Sequence, residues 1–259
     1  MYSYEDIKTV HLEITQRCQA ACPMCDRNMN GGKDNPHITN AELSFEDCQR
    51  IFTPAFISQL KNMYMCGNLG DPIVARDSLE VFDYFRTNNE KMWLSMNTNA
   101  GAKPVEWWRE LAQVYGRMGA VIFSVDGLKD TNHLYRQNVV WDNVERNMRA
   151  FIDAGGRARW DYIIFGHNEH QVNEAEQLAK DWGVERFQKK KSARFITVKS
   201  HAKNSHQAQN RKGQETQLIE KPKKLDNQNL ALLKQKELEK TYGSMKDYYD
   251  SCSIKCKVA

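Results

Sequence analysis

The sequence predicts an α/β fold, a partial (βα)6 TIM-like barrel in which parallel strands are covered by helices. Short strand-like segments alternate with segments of helical spacing along the first 190 residues. The strand-like segments are nearly continuous in apolar character, which is typical of a parallel sheet. Six units are too few for a full (βα)8 barrel, so we expect an open barrel. A doubly wound sheet is the alternative.

The predicted strands are short and bounded by polar residues or glycine. The first is rich in β-branched residues, and the fourth, AVIFSV, is almost entirely apolar. Their lengths are those of strands and not of helices. The six predicted strands lie at residues 7–15, 62–66, 92–96, 120–125, 160–165 and 184–188.

Helices are predicted between the strands from apolar residues at helical spacing. Ser44 is predicted to cap the first helix, and Asp77 with Glu80 is predicted to form a capping box at the start of the second. Pro104 suits the first turn of the third helix. The apolar stripes lie at residues 45–52, 79–85, 105–115, 141–152 and 172–182.

Composition predicts three parts: a core domain at residues 1–198, a basic flexible linker at 199–224 and a C-terminal extension at 225–259. Residues 186–224 contain twelve Lys and Arg but only two acidic residues. Such a basic stretch attracts nucleic acid, but this one has few aromatic residues for base stacking. We therefore favour a solvated linker and do not expect nucleic acid as a partner.

The chain has the features of a cytoplasmic protein without a membrane partner. It contains no apolar run of about 18 residues, and its N-terminus, MYSYEDIKTV, does not resemble a signal peptide. Its seven cysteines are odd in number and unevenly spaced. We therefore expect metal ligands and core residues, with Cys48 and Cys66 in the core, and no disulfide framework.

Three cysteines, Cys18, Cys22 and Cys25, form a C-x3-C-x2-C pattern directly after the first strand. Thiolates on one short loop suit zinc or an iron–sulfur cluster. A structural zinc site uses four ligands, so zinc would need a distant fourth residue such as His37. Three thiolates on a four-iron cluster would leave one iron open to another ligand.

The segment RCQAACPMC resembles the cysteine motif of the radical S-adenosylmethionine (radical SAM) superfamily. The resemblance implies a [4Fe–4S] cluster on the three cysteines, whose open iron chelates SAM. It also implies reductive cleavage of SAM to a 5′-deoxyadenosyl radical, which abstracts hydrogen from a substrate. A flavodoxin- or ferredoxin-like protein would supply the electron. Met24 stands where the family often has an aromatic residue, and we expect it to pack against the adenine.

Three further motifs at strand ends resemble the SAM-binding segments of the same family. CGNLGDP at residues 66–72 resembles a Gly-Gly-Glu-Pro segment that binds the methionyl amino group, although an ordinary turn is the alternative. Residues 97–100 resemble a Thr-Asn-Gly segment, and residues 124–127 resemble a ribose-binding motif. The carboxyl ends of parallel strands meet at one edge, where such sheets bind ligands. The residues predicted to contact SAM are Gly67, Asn68, Gly70, Asp71, Thr98, Ser124 and Asp126.

The C-terminal residues Cys252 and Cys256 resemble part of a SPASM or twitch domain, which binds auxiliary iron–sulfur clusters. Two cysteines are too few for a complete cluster, so a truncated auxiliary domain is an open prediction. This resemblance favours a peptide or protein substrate, with a small metabolite as the runner-up. Arg136 is a candidate partner for a substrate or SAM carboxylate. A non-catalytic zinc or iron–sulfur module that binds nucleic acid through its basic tail is the rival function.

Overall fold

The computed structural model describes residues 3–195 and 204–252. Its main sheet has six strands in chain order, and each neighbouring pair is parallel. The first and last strands form the two edges of this sheet, as expected for an open barrel, and the predicted fold class is confirmed. The strands are β1 (Thr9–His11), β2 (Asn62–Met65), β3 (Trp93–Thr98), β4 (Gly119–Ser124), β5 (Ala158–Ile164) and β6 (Arg186–Lys191).

Helices connect the strands, and each predicted helical stripe lies on one of them. Three short helices, at residues 54–59, 132–135 and 245–252, were not predicted, because each is only about one or two turns long. The helices are α1 (Phe45–Ile51), α2 (Pro54–Gln59), α3 (Ser78–Asn88), α4 (Val105–Tyr115), α5 (Asn132–Tyr135), α6 (Trp141–Asp153), α7 (Val172–Asp181), α8 (Leu230–Tyr242) and α9 (Met245–Cys252).

One of the two predicted helix caps is confirmed and the other is wrong. The Ser44 side chain accepts a hydrogen bond from the amide of Asp47 at 3.1 Å, and Asp47 bonds back to the Ser44 amide. Asp77 makes no side-chain cap bond at the start of α3. Its carboxylate instead accepts from the amide of Phe45 and pairs with Arg76, each at 3.0 Å. A tertiary contact therefore replaces the local capping box.

The sheet is buried against helices on one face only. On β3, Leu94, Met96 and Thr98 are buried, whereas Trp93 and the two other alternating residues are partly exposed. The same alternation recurs along β5. Because successive strand residues point to opposite faces, the second face is a concave and partly accessible surface. We call this surface the concave face.

An aromatic cluster fills the space between the sheet and the helices α3, α4 and α6. Trp108 packs against Phe123 with ring centroids 5.7 Å apart, and Phe123 packs against Phe151 at 5.9 Å. All three side chains are fully buried. The large apolar area of such rings makes this cluster a major source of the stability that holds β3 and β4 in place.

The segment predicted to be a linker contains a two-stranded antiparallel hairpin. Its strands are β7 (Ser205–Gln209) and β8 (Glu215–Glu220). Ala208 and Ile219 are fully buried, and Gly213 occupies the turn at φ +79°. Residues 204–224 are therefore not an irregular linker. The predicted domain boundaries themselves stay a prediction.

The C-terminal extension is described only in part. Residues 230–242 and 245–252 form α8 and α9, so the short helix predicted at 225–242 begins later than expected. Cys252 is the last residue of α9, and Cys256 lies outside the described residues. In the described parts of the chain, no helix has both the length and the apolar character required of a membrane span.

Arg86 should be a major contributor to the stability of the fold. Its guanidinium donates hydrogen bonds to the carbonyl oxygens of Val114 and Met92 at 2.9 Å and Met118 at 3.0 Å. We expect Arg86→Met to lower the free energy of unfolding by about 2–4 kcal/mol, because several carbonyls lose their donor. Urea denaturation of the apoprotein measures this change. The control Arg109→Met, on the exposed face of α4, should change it by less than about 0.5 kcal/mol. Equal midpoints for both variants would contradict this role.

Candidate active site

A cavity of about 410 Å³ opens at the carboxyl edge of the sheet. We call it the main cavity. Loops that follow successive strands contribute its wall, as expected for the ligand-binding edge of a parallel sheet. Most of the residues predicted to form the site line it. These are Cys18, Cys22, Cys25, Gly67, Asn68, Gly70, Asp71 and Ser124.

The three cysteines lie on the loop after β1, and we call residues 18–25 the cysteine loop. Cys22 is buried, whereas Cys18 and Cys25 are partly exposed toward the main cavity. The pKa values of the Cys18 and Cys22 thiols are raised, mainly because both thiols are buried. In the absence of a metal these two thiols are therefore protonated, and a metal would have to displace their protons.

Polar donors face two of the sulfur atoms. The Asn99 side-chain nitrogen lies 3.7 Å from Cys18 Sγ, and Arg136 Nη1 lies 3.7 Å from Cys22 Sγ. Donors of this kind stabilise negative charge on sulfur ligands. The surroundings of Cys18 and Cys22 therefore suit thiolates bound to a metal centre.

The donor set of the site is three soft thiols, a set typical of zinc or iron–sulfur centres. Within the described residues, no three His, Cys, Asp or Glu side chains converge tightly enough to hold a single metal ion. The main cavity has the volume of an ordinary small-molecule site and lies directly beside the thiols. Three thiols beside a cavity of this size fit a cluster with a bound ligand.

The glycines of the loop after β2 permit two close backbone contacts. A Cβ on Gly67 would lie 1.7 Å from the carbonyl oxygen of Gly70, and a Cβ on Gly70 would lie 2.0 Å from the carbonyl oxygen of Thr15. The neighbouring Asn68 is fixed by a 2.8 Å hydrogen bond to Glu13. Only glycine fits both close approaches. The first folds the loop back on itself, and the second packs it against Thr15 in the segment that follows β1.

Asp71 is buried and joins the loop after β2 to the loop after β3. Its Oδ2 accepts hydrogen bonds from the Asn99 amide at 2.8 Å and the Asn99 side chain at 2.7 Å, and its Oδ1 accepts from the Ile73 amide at 3.2 Å. Burial raises its pKa. Asp71 therefore orients Asn99, whose side chain faces Cys18 Sγ. Asn99 was not among the predicted site residues.

Three residues predicted to contact SAM, Met24, Thr98 and Asp126, are buried and are not among the residues that line the main cavity. Thr98 is buried, and its hydroxyl accepts from the Ala100 amide at 3.1 Å. Alternate residues of a strand face opposite sides, so Asn97 and Asn99 line the main cavity in place of Thr98. The predicted segment reaches the cavity wall through Asn97 and Asn99, and its contact with SAM stays a prediction.

Asp126 is fully buried and forms an ion pair with Arg136. Arg136 Nε donates to Asp126 Oδ2 at 2.7 Å, and the Ile163 amide donates to Oδ1 at 2.6 Å. Burial lowers the pKa of Arg136, but Asp126 and Cys22 beside it outweigh that effect and raise the pKa overall. The guanidinium therefore stays charged. The Asp126–Arg136 pair joins the ends of β4 and β5 to the loop that carries the three cysteines.

Arg194, which follows β6, was not predicted as a site residue. Its Nη1 donates to the Met24 carbonyl oxygen at 2.6 Å and to the Tyr135 hydroxyl at 2.9 Å. It also lines the main cavity. The available signal was a cluster of basic residues after the sixth strand, but Met24 is 170 positions earlier in the chain. Sequence alone does not indicate that these residues meet.

The β7–β8 hairpin docks on the segment that follows Cys25. The Gln209 amide donates to the Asn30 carbonyl oxygen at 2.7 Å, and Arg211 contacts Asp34 at 2.6 Å. The buried Arg27 contacts the same Asp34 oxygen at 2.7 Å. Partial burial raises the pKa of Asp34, but the two arginines outweigh it and lower the pKa overall. The hairpin and the segment that follows the cysteine loop thus share one carboxylate.

A comparison with known families agrees with this geometry. A family model described as the radical SAM superfamily matches residues 12–181. The chain belongs to the radical SAM superfamily. Membership implies an enzyme, and this superfamily uses a [4Fe–4S] cluster and SAM. None of the curated proteins matches the chain.

Solved structures of two other proteins share the fold. Streptococcus suis SuiB bound to its precursor peptide SuiA has 16% identity and a TM-score of 0.55, over 70% of this chain and 38% of that one. The enzyme anSMEcpe with bound AdoMet (SAM) and a peptide has 15% identity and a TM-score of 0.53, over 76% of this chain and 55% of that one. The chain thus spans 38% of the SuiB chain and 55% of the anSMEcpe chain. At identities of 15–16%, the likeness shows the fold alone.

We expect the hairpin to hold the segment after Cys25 in place. Arg211→Gln should increase hydrogen exchange of the amides at residues 28–34 about tenfold, because the charge-assisted contact to Asp34 is lost. Exchange measured by mass spectrometry on the apoprotein tests this without any cofactor. The control Lys212→Gln removes the same charge from the exposed neighbouring residue and should leave exchange unchanged. If both variants behave like the wild type, the hairpin does not hold the segment.

Proposed function

We propose that this protein is a radical SAM enzyme in which Cys18, Cys22 and Cys25 hold a [4Fe–4S] cluster. The main support is that the three thiols line one cavity at the carboxyl edge of the sheet, with Asn99 and Arg136 as donors to two of them. When bound, the cluster and SAM supply a 5′-deoxyadenosyl radical that removes hydrogen from a substrate.

In this proposal the residues of the cavity wall bind SAM and exclude water. The glycines at 67 and 70 let the loop after β2 pack closely at the cavity wall, and Asn68, Asp71 and Ser124 provide polar atoms. Met24, Thr98 and Asp126 act by positioning their neighbours, because they are buried and do not line the main cavity. Asp126, for example, orients Arg136 toward Cys22.

We further propose a peptide or protein substrate and a flavodoxin- or ferredoxin-like reductant. Two structures with the same fold contain peptides, which supports a peptide substrate here. A small metabolite is the runner-up. The concave face is partly exposed along the described strands and gives either substrate a route to the main cavity. An auxiliary cluster at Cys252 and Cys256 stays a prediction.

Substitution of the cysteines tests the cluster assignment. Cys18→Ser, Cys22→Ser and Cys25→Ser should each lose most of the iron and sulfide bound after anaerobic reconstitution, because serine is a poor ligand for iron–sulfur clusters. Each should also fail to convert SAM to 5′-deoxyadenosine under dithionite. The matched control is Cys66→Ser, which removes a thiol from the wall of the same cavity, because Cys66 is partly exposed there and not in the core as expected. It should keep both the cluster and the cleavage of SAM.

Two results would contradict the assignment. A colourless wild-type protein that retains one zinc ion and does not bind SAM would support the rival zinc module. A cluster that survives all three cysteine substitutions would show that other residues hold it. Measurement of iron, sulfide and zinc in the same samples separates these outcomes.

A further inference from the structure

A second cavity of about 370 Å³ adjoins the main cavity on its β6 side. The two cavities share Ser124, Ile163, Arg136 and Arg194. The second cavity is rich in charged side chains, and we call it the basic pocket. Its charged lining residues are Arg136, Asp161, Lys190, Lys191 and Arg194.

The basic pocket has more positive than negative charge. Arg136 is paired with the buried Asp126 at 2.7 Å, and Lys190 is paired with Asp161 at 3.1 Å. Lys191 lies on the same face of β6 as Lys189, which pairs with Glu176 of α7, so its charge is directed to the helical side. Within the part of the chain that the structure describes, no carboxylate pairs with Arg194, and its hydrogen-bond partners are neutral oxygens. Among the described residues that line the pocket on its concave side, Arg194 is therefore a cation without a carboxylate partner.

The charges of the pocket face the side from which a substrate would enter. On β5, Trp160 packs against Trp182 of the helical layer, so Asp161 points to the concave face. On β6, Lys189 pairs with Glu176 of α7 at 2.9 Å, so Lys190 also points to the concave face. The pocket is thus an extension of the concave face beside the main cavity.

We propose that the basic pocket binds an oxyanion carried by the substrate, either a carboxylate or a phosphate group. This inference rests on the proposed function and adds the chemical class of its substrate. A planar guanidinium and flexible ammonium groups are the side chains that proteins use for such anions. Arg194 gives the pocket a link to the site, because it also holds the Met24 carbonyl oxygen of the cysteine loop. Asp161 limits the affinity, since it repels an anion and neutralises Lys190.

The charge arrangement predicts opposite effects for two substitutions. Lys190→Gln should weaken anion binding about tenfold, because a cation is lost and Asp161 is left unpaired. Asp161→Asn should strengthen it about threefold or more, because Lys190 is freed. The control Lys189→Gln removes the same charge from the opposite face of β6 and should have no effect.

Isothermal titration of the reconstituted, SAM-saturated full chain measures these affinities. The probes are inorganic phosphate, N-acetylglutamate amide and, as the neutral analogue, N-acetylglutamine amide. Tighter binding of phosphate would identify a phosphorylated substrate, and tighter binding of the glutamate probe would identify an acidic peptide. Either result supports the proposal if the variants change the affinity in the expected directions.

Three results would overturn the inference. The first is equal binding of the neutral and anionic probes. The second is anion binding to the reconstituted protein without SAM that is lost once SAM is added, which would assign the pocket to the SAM carboxylate. The third is unchanged probe binding in both variants together with a changed rate of reduction by an acidic flavodoxin, which would make the patch a docking surface for the reductant.

The failure of this inference is distinguishable from failure of the proposed function. Cleavage of SAM to 5′-deoxyadenosine is measured on the same preparations. A wild-type protein that cleaves SAM but binds neither anion overturns only the anion site. A protein that binds anions with the expected charge dependence but never cleaves SAM contradicts the enzyme assignment.

Discussion

Parallel pairing of all six strands is the constraint on which the rest of the molecule depends. Because each crossover returns the chain to the opposite end of the sheet, all six strands run in the same direction. The carboxyl ends of all the strands therefore lie at the same end of the sheet. Cys18 and Arg194 are far apart in sequence, yet both line one cavity for this reason. The same pairing divides the side chains of each strand into two sets. One set packs against the helices, and the other forms the polar concave face.

The cysteine loop depends on contacts from distant parts of the chain. It has no long regular element of its own, so ordering it costs conformational entropy that local hydrogen bonds do not offset. Arg194 holds the Met24 carbonyl oxygen, Arg136 faces Cys22, and the β7–β8 hairpin is joined to the segment after Cys25 through Asp34. These contacts come from the loops after β4 and β6 and from the hairpin. The loop is therefore shaped by the finished fold.

The sequence predicts features whose signals are local, and it does not predict those that require the fold. Strand and helix periodicity, the Ser44 cap and the glycine loop after β2 are specified by neighbouring residues, and the structure contains them. The hairpin was not predicted because Ala208 and Ile219 are its only fully buried apolar residues, and their burial depends on residues far away in the chain. Side chains of β3 alternate between its two faces, and Asn97 and Asn99 lie on the cavity wall instead of Thr98. Composition alone cannot tell which of two neighbouring residues faces the cavity.

The positions of Arg136 and Arg194 connect the sulfur ligands with the proposed anion site. Nearby charge and hydrogen bonds to sulfur set the reduction potentials of iron–sulfur centres. Arg136 donates to Cys22 Sγ and lines both cavities, and Arg194 holds the loop that carries Cys25 and lines both as well. An anion in the basic pocket would offset part of the positive charge that these two side chains present to the thiolates. Binding of a charged substrate and the electrostatics of the cysteine site would then be coupled through the same two residues, without any movement of the sheet.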